Sequence, residues 1–168
     1  MINRRQLFLG ITSLLTEPAF SRNLNDKLLL RTIPSSGERI PVIGMGTSRT
    51  FDLEQDENLG QLMEVLEAFF ICGGTVIDSS PMYGNAESTI GTLLSQMGFP
   101  HRYFAATKVW TTVKEEGIQQ MLLSEKRMNV KKLDLIAIHN LVDWKTHLST
   151  LKKWKEEGKV RYIGITTS

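Results

Sequence analysis

The sequence predicts an α/β protein whose strands form a parallel sheet. Short segments rich in β-branched residues alternate with segments whose apolar residues recur at helical spacing, which favours repeated strand–helix units. The strand-like segments are apolar on successive residues, as expected when both faces of a parallel sheet are covered. The ends of these segments also recur at a nearly constant interval. Together, the three observations favour parallel strands connected by helices.

A hairpin is predicted before the alternating part, with strands over residues 28–34 and 39–44 and a turn-forming cluster between them. Five core strands follow, over residues 42–47, 75–78, 103–108, 133–139 and 160–166. The apolar positions of four intervening helices run from Leu59 to Phe70, Ile90 to Met97, Ile118 to Leu122 and Leu148 to Trp154. Glycines are predicted to end three of these helices, at Gly73, Gly98 and Gly158.

Each core strand ends in a polar residue, and successive ends lie 27 to 31 residues apart: Thr47, Asp78, Lys108, His139 and Thr166. The carboxyl ends of parallel strands share one edge of a sheet, so these five side chains are expected to converge. This edge is where (β/α)8 barrels place their chemistry. We therefore predict a (β/α)8 TIM barrel, of which this chain holds about the first five βα units and an N-terminal hairpin.

An open doubly wound sheet is the alternative fold for the same pattern. Such sheets usually carry a Gly-x-Gly-x-x-Gly turn after the first strand. Here Gly44 and Gly46 supply two glycines, but the third position is Arg49. We interpret the two glycines as a site of close packing at a strand end, not as a phosphate-binding turn.

The converging residues include groups suited to acid–base chemistry. Tyr83 follows Asp78 by five residues, in a turn with proline and glycine that can return the phenol to the edge of the sheet. A lysine cation stabilises a nearby phenolate, and a carboxylate can keep a buried lysine charged. Lys108 and Asp78 can therefore make Tyr83 a general acid, while His139 orients a substrate oxygen. This set suits protonation of a carbonyl oxygen as hydride reaches its carbon.

Each of the four residues also has a purely structural interpretation. Asp78 could cap the turn that follows it, and Lys108 could be a solvated strand end. His139 could be a hydrogen-bonded residue at the edge of the sheet, and Tyr83 could pack within its turn. Their recurrence with the strand period and their fit to one mechanism favour the chemical interpretation.

Several motifs resemble those of the aldo-keto reductase family, and the resemblance extends from about Leu29 to the last residue. They are the segments 44–47, 73–78, 83–87, 106–110, 133–140 and 158–165. The resemblance implies a TIM barrel with an N-terminal hairpin across its bottom. It also implies an enzyme that reduces an aldehyde or ketone to an alcohol with NADPH, or NADH, as hydride donor. The family's catalytic tetrad matches Asp78, Tyr83, Lys108 and His139.

The resemblance further implies two groups of binding residues. They are Thr47, Asp78, Thr166 and Thr167 for the nicotinamide end of the cofactor, and Trp110 and His139 for a small carbonyl substrate. The family often has Ser-Asn after the fifth strand, where the pair holds the nicotinamide amide. Here Thr166 keeps the hydroxyl, whereas Thr167 lacks the side-chain amide.

Composition argues against several other classes of function. The net charge is only +2, whereas nucleic-acid binding usually requires a clustered basic face. One cysteine, Cys72, permits neither an intrachain disulfide nor a cysteine-based zinc site. The three histidines form no helical H-x-x-x-H pair, and no run approaches the roughly 18 apolar residues of a membrane helix. We expect no metal, no nucleic acid and no stable membrane span.

Two other functions are compatible with these residues. One is a nucleotide-binding regulatory protein without significant turnover, similar to the aldo-keto reductase-like subunits of channels. The other is a lyase or aldolase in which Lys108 forms a Schiff base. Asp78 argues against the second function, because it would keep the lysine protonated.

The chain length bears on the completeness of the barrel. A complete (β/α)8 barrel takes about 250 residues, and this chain has 168. We expect residues 28–168 to be an incomplete aldo-keto reductase domain, from a truncated reading frame or an incomplete gene. The resemblance places the pyrophosphate-binding part of the family barrel in its later strands.

Residues 1–21 resemble a twin-arginine export signal. Arg4 and Arg5 are followed by one polar residue and a short apolar run, 7–15. Ala19 and Ser21 are small residues at the positions that a signal peptidase reads. We expect the export machinery to bind this segment and the mature protein to be periplasmic. An N-terminal tail on a cytoplasmic protein is the alternative.

Replacement of Arg4 and Arg5 by lysine tests the export signal. We expect the double variant to stay in the cytoplasm with its leader uncleaved, because the export machinery reads the arginine pair. Cell fractionation with immunoblotting measures the outcome. Arg39→Lys, in the predicted hairpin, is a matched control that should leave export unchanged. Unchanged periplasmic recovery of the double variant would contradict the prediction.

Overall fold

The computed structural model describes residues 28–54, 59–98 and 103–167. The predicted export signal over residues 1–21 lies outside the described residues. The elements in chain order are β1 (Leu30–Thr32), β2 (Arg39–Pro41), β3 (Met45–Gly46), α1 (Leu59–Ile71), β4 (Val76–Asp78), α2 (Ala86–Gln96), β5 (Phe104–Val109), α3 (Lys114–Arg127), β6 (Leu133–Ile138), a 3₁₀ turn (His139–Leu141), α4 (Trp144–Glu156) and β7 (Val160–Ile165). No helix in these three ranges is both long and apolar enough to cross a membrane.

The five strands β3 to β7 form one parallel sheet in which each strand lies beside its neighbours in the chain, in the order β3-β4-β5-β6-β7. A doubly wound sheet instead changes direction part-way, at the point where its strand order reverses. The sequential order is that of a (β/α)8 barrel wall. The predicted α/β class and parallel sheet are therefore confirmed, and β1 pairs with β2 as a separate antiparallel hairpin.

Two apolar clusters lie between the sheet and its helices. The first joins β5, β6 and β7 to α3 and α4, and its fully buried members include Val109, Ile136 and Leu151. The second joins α1 and α2 to β4, with Leu66 and Ile77 at its centre. All six residues of β5 are buried. The other strands are less completely covered, since Val76 and Asp78 of β4 are half-buried and β7 is half-buried or exposed after Val160. The expected coverage of both faces therefore holds for β5, the central strand, and not for the whole sheet.

A charged network fastens the hairpin to the amino ends of β6 and β7. Arg161 donates hydrogen bonds to Asp134 and Glu38, and the Tyr162 hydroxyl donates to Glu38. The hydrogen bond with Asp134, reinforced by the charges of both carboxylates, raises the pKa of Arg161 above its usual value. The guanidinium therefore stays charged. The network anchors the end of the sheet opposite to the carboxyl ends of the strands.

Helices α2 and α3 meet at Gly91. A Cβ atom added there would lie 2.0 Å from the carbonyl oxygen of Arg127, so the contact depends on the absence of a side chain. We predict that Gly91→Ala lowers the free energy of unfolding by about 1–3 kcal/mol, because the two backbones must separate. Urea denaturation followed by circular dichroism measures the change.

Gly60→Ala is the matched control for this prediction. Gly60 lies in α1, and an added Cβ would meet nothing within 4 Å. Its replacement should raise the free energy of unfolding by roughly 0.5–1 kcal/mol, the difference in helix propensity between the two residues. Equal stabilisation by both substitutions would show that α2 and α3 do not approach as closely as described.

Candidate active site

The ends of β4 and β5 bring Asp78 and Lys108 together. Asp78 lies opposite Ala106 in the parallel register, and Lys108 is two residues further along β5, so both side chains project from one face of the sheet. Lys108 Nζ donates to Asp78 Oδ2 and to the Ser79 carbonyl oxygen, at 2.7 Å each. The side chain of Lys108 is 6% exposed, whereas that of Asp78 is 47% exposed. A buried ammonium is thus held by a carboxylate that reaches solvent.

Tyr83 lies in the turn between β4 and α2, over Lys108. The Lys108 Nζ atom is 5.1 Å from the centroid of the Tyr83 ring, within the range of a cation–π contact. The Tyr83 backbone N–H donates to the Ser80 carbonyl oxygen at 3.0 Å, which closes the turn. Within the described residues the Tyr83 hydroxyl makes no hydrogen bond. Its proton is therefore not committed to another protein group there.

The segment after β3 fastens the turn that carries Tyr83. The Asn85 backbone N–H donates to Asp52 Oδ1 at 2.8 Å, and Asn85 Nδ2 donates to the Leu53 carbonyl oxygen at 3.0 Å. Gly84 has φ +55°, and a Cβ atom there would lie 2.0 Å from Asp52 Oδ1. A glycine is required at this position both for its backbone conformation and for the approach of the carboxylate.

The registers of β5, β6 and β7 add His139 and Thr166 to the same face. Lys108 lies opposite Ala137, and Ala137 lies opposite Gly164. His139 and Thr166 each follow two residues after these partners, and His139 Nδ1 lies 2.7 Å from Thr166 Oγ1. The structure therefore brings Asp78, Tyr83, Lys108, His139 and Thr166 to one edge of the sheet.

Strained backbone follows His139 directly. Asn140 has φ +50° and Leu141 has φ +56°, in the left-handed region that non-glycine residues rarely occupy. The Asn140 backbone N–H donates to Thr166 Oγ1 at 3.2 Å. The Trp110 ring lies edge-on to the His139 ring, with centroids 6.3 Å apart and an interplanar angle of 84°. Such strain is typical of functional sites, where the surrounding structure imposes it.

Thr47 and Thr167 lie at the same edge of the sheet but, among the described residues, make no hydrogen bond to the side chains of this group. Thr47 is fully buried, and its hydroxyl donates to the Asp78 carbonyl oxygen at 3.1 Å and to Ser79 Oγ at 2.9 Å. These bonds hold the end of β3 to the end of β4. Thr167 is exposed at the end of the described residues. The cofactor contacts expected of both residues stay predictions.

The sequence model of the aldo/keto reductase family matches residues 42–168 of this chain. This range includes every site residue named above. This chain belongs to the aldo/keto reductase family. The resemblance inferred from the motifs is therefore confirmed over residues 42–168, which build the whole five-stranded sheet.

Two of three curated relatives of this aldo/keto reductase are named for a carbonyl compound that they reduce. This chain is 31% identical to aldehyde reductase YPR1 of Saccharomyces cerevisiae over 130 residues. The alignment covers 77% of this chain and 38% of the yeast protein. The chain is 27% identical over 144 residues to methylglyoxal reductase YeaE of Escherichia coli, covering 81% and 49%. The aldo-keto reductase yakc of Schizosaccharomyces pombe, whose name specifies NADP(+), is 30% identical over 146 residues, covering 77% and 43%. The chain thus spans less than half the length of these relatives.

Solved structures agree with the fold. An aldo/keto reductase from Brucella melitensis superposes with a TM-score of 0.69 and 25% identity, covering 84% of this chain and 55% of that one. An aldo/keto reductase from Klebsiella pneumoniae, in complex with NADP and acetate, gives a TM-score of 0.66 and 26% identity, covering 77% and 46%. The parallel sheet of this aldo/keto reductase therefore corresponds to part of the barrel in each of these neighbours.

Sequence reasoning missed a buried carboxylate next to the site. Glu87 is 1% exposed, and its Oε1 accepts a hydrogen bond from Thr107 Oγ1 at 2.6 Å. The guanidinium of Arg127 lies 3.8 Å from the other oxygen. Thr107 precedes Lys108, so this pair ties α2 to β5 beside the lysine. Glu87 lies in the first turn of α2, where a glutamate is usually exposed, so its position in the sequence does not predict its burial. The one available signal is that Glu87 is the last residue of the motif 83–87.

A cavity of about 640 Å³ lies at the other end of the sheet, between the hairpin and the amino ends of the strands. Its lining includes Glu38, Asp134 and Arg161, which form the network that anchors the hairpin. The acid–base residues are all at the carboxyl ends of the strands. We therefore place the chemistry at the carboxyl edge and assign the cavity to the anchoring of the hairpin.

Proposed function

We propose that this aldo/keto reductase reduces an aldehyde or ketone to an alcohol with NADPH as hydride donor and Tyr83 as general acid. The observation that carries the proposal is the buried Lys108 ammonium, bonded to Asp78 and 5.1 Å from the centroid of the Tyr83 ring. Relatives named aldehyde reductase and methylglyoxal reductase support a small carbonyl substrate. A relative and a neighbouring structure that carry NADP in their names support the cofactor.

In this proposal Tyr83 donates its hydroxyl proton to the carbonyl oxygen as a hydride adds to the carbonyl carbon. The π electrons of the C=O bond form the new O–H bond, and the tyrosine is left as a phenolate. The Lys108 cation stabilises that phenolate. Asp78 in turn offsets the cost of burying the lysine charge. The alcohol then leaves, and Tyr83 recovers a proton from solvent.

Thr166 sets the tautomer of His139 in this proposal. Thr166 Oγ1 accepts from the Asn140 N–H, and its hydroxyl hydrogen can be donated to His139 Nδ1. We propose this direction for the second bond, which places the ring proton on Nε2. A neutral imidazole can then donate from Nε2 to the carbonyl oxygen and orient it toward Tyr83.

The residues present are chemically suited to the nicotinamide end of a cofactor, which supplies the hydride when bound. The Asp78 carboxylate is half-exposed and can accept hydrogen bonds from a ribose hydroxyl. Thr166 and Thr167 add hydroxyl groups at the same edge. Thr47 is buried behind Asp78, and we propose that it contributes by holding the Asp78 backbone.

We also propose export by the twin-arginine route, on the support of Arg4, Arg5 and the apolar segment after them. This route carries proteins that have already folded in the cytoplasm. A chain with one cysteine does not need an oxidising compartment to fold. The arginine-to-lysine replacement above is the test.

The direct test uses a full-length version of the protein, with a complete barrel. NADPH consumption is followed by absorbance with methylglyoxal, an aromatic aldehyde and a simple ketone, and the assay is repeated with NADH. We expect turnover with at least one aldehyde and a preference for NADPH. Binding of NADPH without turnover of any carbonyl would overturn the proposal in favour of a regulatory protein.

We predict that Tyr83→Phe in a full-length version lowers kcat for aldehyde reduction by ~10²-fold or more, because it removes the proton donor and keeps the ring. The affinity for NADPH should change little. Tyr162→Phe is the matched control, since its hydroxyl bonds to Glu38 at the opposite end of the sheet. Steady-state kinetics and fluorescence titration with NADPH measure both variants. Near-normal turnover by Tyr83→Phe would refute the general-acid assignment.

We further predict that Thr166→Val lowers kcat by about tenfold, which corresponds to the loss of one hydrogen bond of roughly 1.4 kcal/mol. Thr166→Ser keeps the hydroxyl and should restore the rate to near the parent value. Thr92→Val, at an exposed threonine of α2, is the control. The prediction fails if the valine and serine variants at position 166 behave alike.

A further inference from the structure

One side chain of α3 pairs with both backbone polar groups of Trp110. The Trp110 N–H donates to Gln120 Oε1 at 2.6 Å, and Gln120 Nε2 donates to the Trp110 carbonyl oxygen at 3.4 Å. A planar amide that accepts from and donates to the same residue fixes both the position and the rotation of that residue's backbone. Trp110 directly follows β5, so Gln120 sets how the chain leaves the sheet next to Lys108.

The residue after Trp110 is held by two further groups. Thr111 Oγ1 donates to Glu116 Oε2 at 2.8 Å, and the Thr111 carbonyl oxygen lies 2.7 Å from His147 Nε2. A carbonyl oxygen can only accept, so His147 Nε2 carries a proton and donates it. His147 is fully buried on α4 and packs against Gly117, where a Cβ atom would lie 2.4 Å from its Cε1. The segment 110–111 is therefore fixed from both α3 and α4.

The side chain carried by this fixed backbone is itself not buried. Trp110 is 47% exposed, and its ring lies edge-on to the ring of His139. Here the backbone is held rigidly and the ring is presented at the edge that carries the acid–base residues. A rigid aromatic wall beside an oxygen-binding histidine can select the substituent on a carbonyl carbon.

We propose that Gln120 is a positioning residue that determines substrate specificity, because it fixes the backbone from which the Trp110 ring projects beside His139. The inference rests on the proposed reductase function and names the substrate class that the site favours, namely aldehydes with a planar aromatic substituent. The ring stacks against that substituent while His139 binds the oxygen. A small substrate such as methylglyoxal does not reach the ring and is insensitive to its angle.

The test is Gln120→Glu, which preserves size and shape. Its carboxylate still accepts from the Trp110 N–H but can no longer donate to the Trp110 carbonyl oxygen, which it repels. For an aromatic aldehyde we expect KM to rise about tenfold, while kcat for methylglyoxal stays within about twofold. Gln119→Glu is the matched control, because Gln119 is exposed on the same helix and makes no hydrogen bond to Trp110.

A double variant separates this role from a merely structural one. In a Trp110→Ala background, Gln120→Glu should change the ratio of kcat/KM for the two aldehydes no further, because the ring through which it acts is gone. An equal loss of kcat for both aldehydes, in both backgrounds, would show that Gln120 only supports the fold. That result would overturn the proposal.

A measurement without substrate distinguishes failure of this inference from failure of the reductase function. Fluorine NMR of protein labelled with fluorotryptophan gives one signal for each tryptophan, and Trp110→Phe identifies the signal of Trp110. Gln120→Glu should shift or broaden that signal and leave those of Trp144 and Trp154 in place, whereas Gln119→Glu should change none. An unmoved Trp110 signal would overturn the positioning role whatever the enzyme's activity. A moved signal in a protein that reduces no carbonyl would overturn the specificity inference together with the proposed function.

Discussion

The site depends on a lysine charge held inside the protein. A charged ammonium loses several kcal/mol of hydration when it is buried, and only a well-placed anion and further acceptors offset that cost. Lys108 has both, in the Asp78 carboxylate and the Ser79 carbonyl oxygen. These acceptors are available only because β4 and β5 pair in the register that sets Asp78 opposite Ala106. A shift of one residue would turn Lys108 toward the helices and leave its charge without a partner.

The surrounding elements stabilise that register from several sides. Thr47 holds the end of β3 to the end of β4, and the Glu87–Thr107 bond holds α2 against β5. Asp52 fixes the turn that places Tyr83 over the ammonium. At the other end of the sheet, a separate network around Arg161 anchors the hairpin. The candidate acid–base residues thus lie at one end of the strands and the anchor of the hairpin lies at the other, as expected of a (β/α)8 barrel.

The apolar periodicity of the sequence predicted which strands and helices form, but it predicted their first and last residues less accurately. The order of the strands, the four helices and the glycine endings follow from periodicity, and the structure confirms the parallel α/β arrangement. The strands of the hairpin and β3 are shorter than predicted, with β1 confined to Leu30–Thr32 and β3 to Met45–Gly46. Their partners determine these limits, since a strand lasts only as long as its ladder. The end of α3 was also not predicted by a glycine. Asn129 adopts the left-handed conformation that follows this helix, where the other predicted helix ends carry glycine.

The sequence by itself determined which residues reach the site. A residue that ends a parallel strand lies at one edge of the sheet, so the spacing of Asp78, Lys108 and His139 was sufficient to group them. Only the tertiary structure decided how those residues are oriented. The bonds from Asp52 to Asn85 and from Thr166 to His139 join residues 33 and 27 positions apart, and the burial of Thr47 depends on the neighbouring strand. Such contacts arise from the packing of whole elements, and local periodicity carries no information about the partner that a single polar atom will meet.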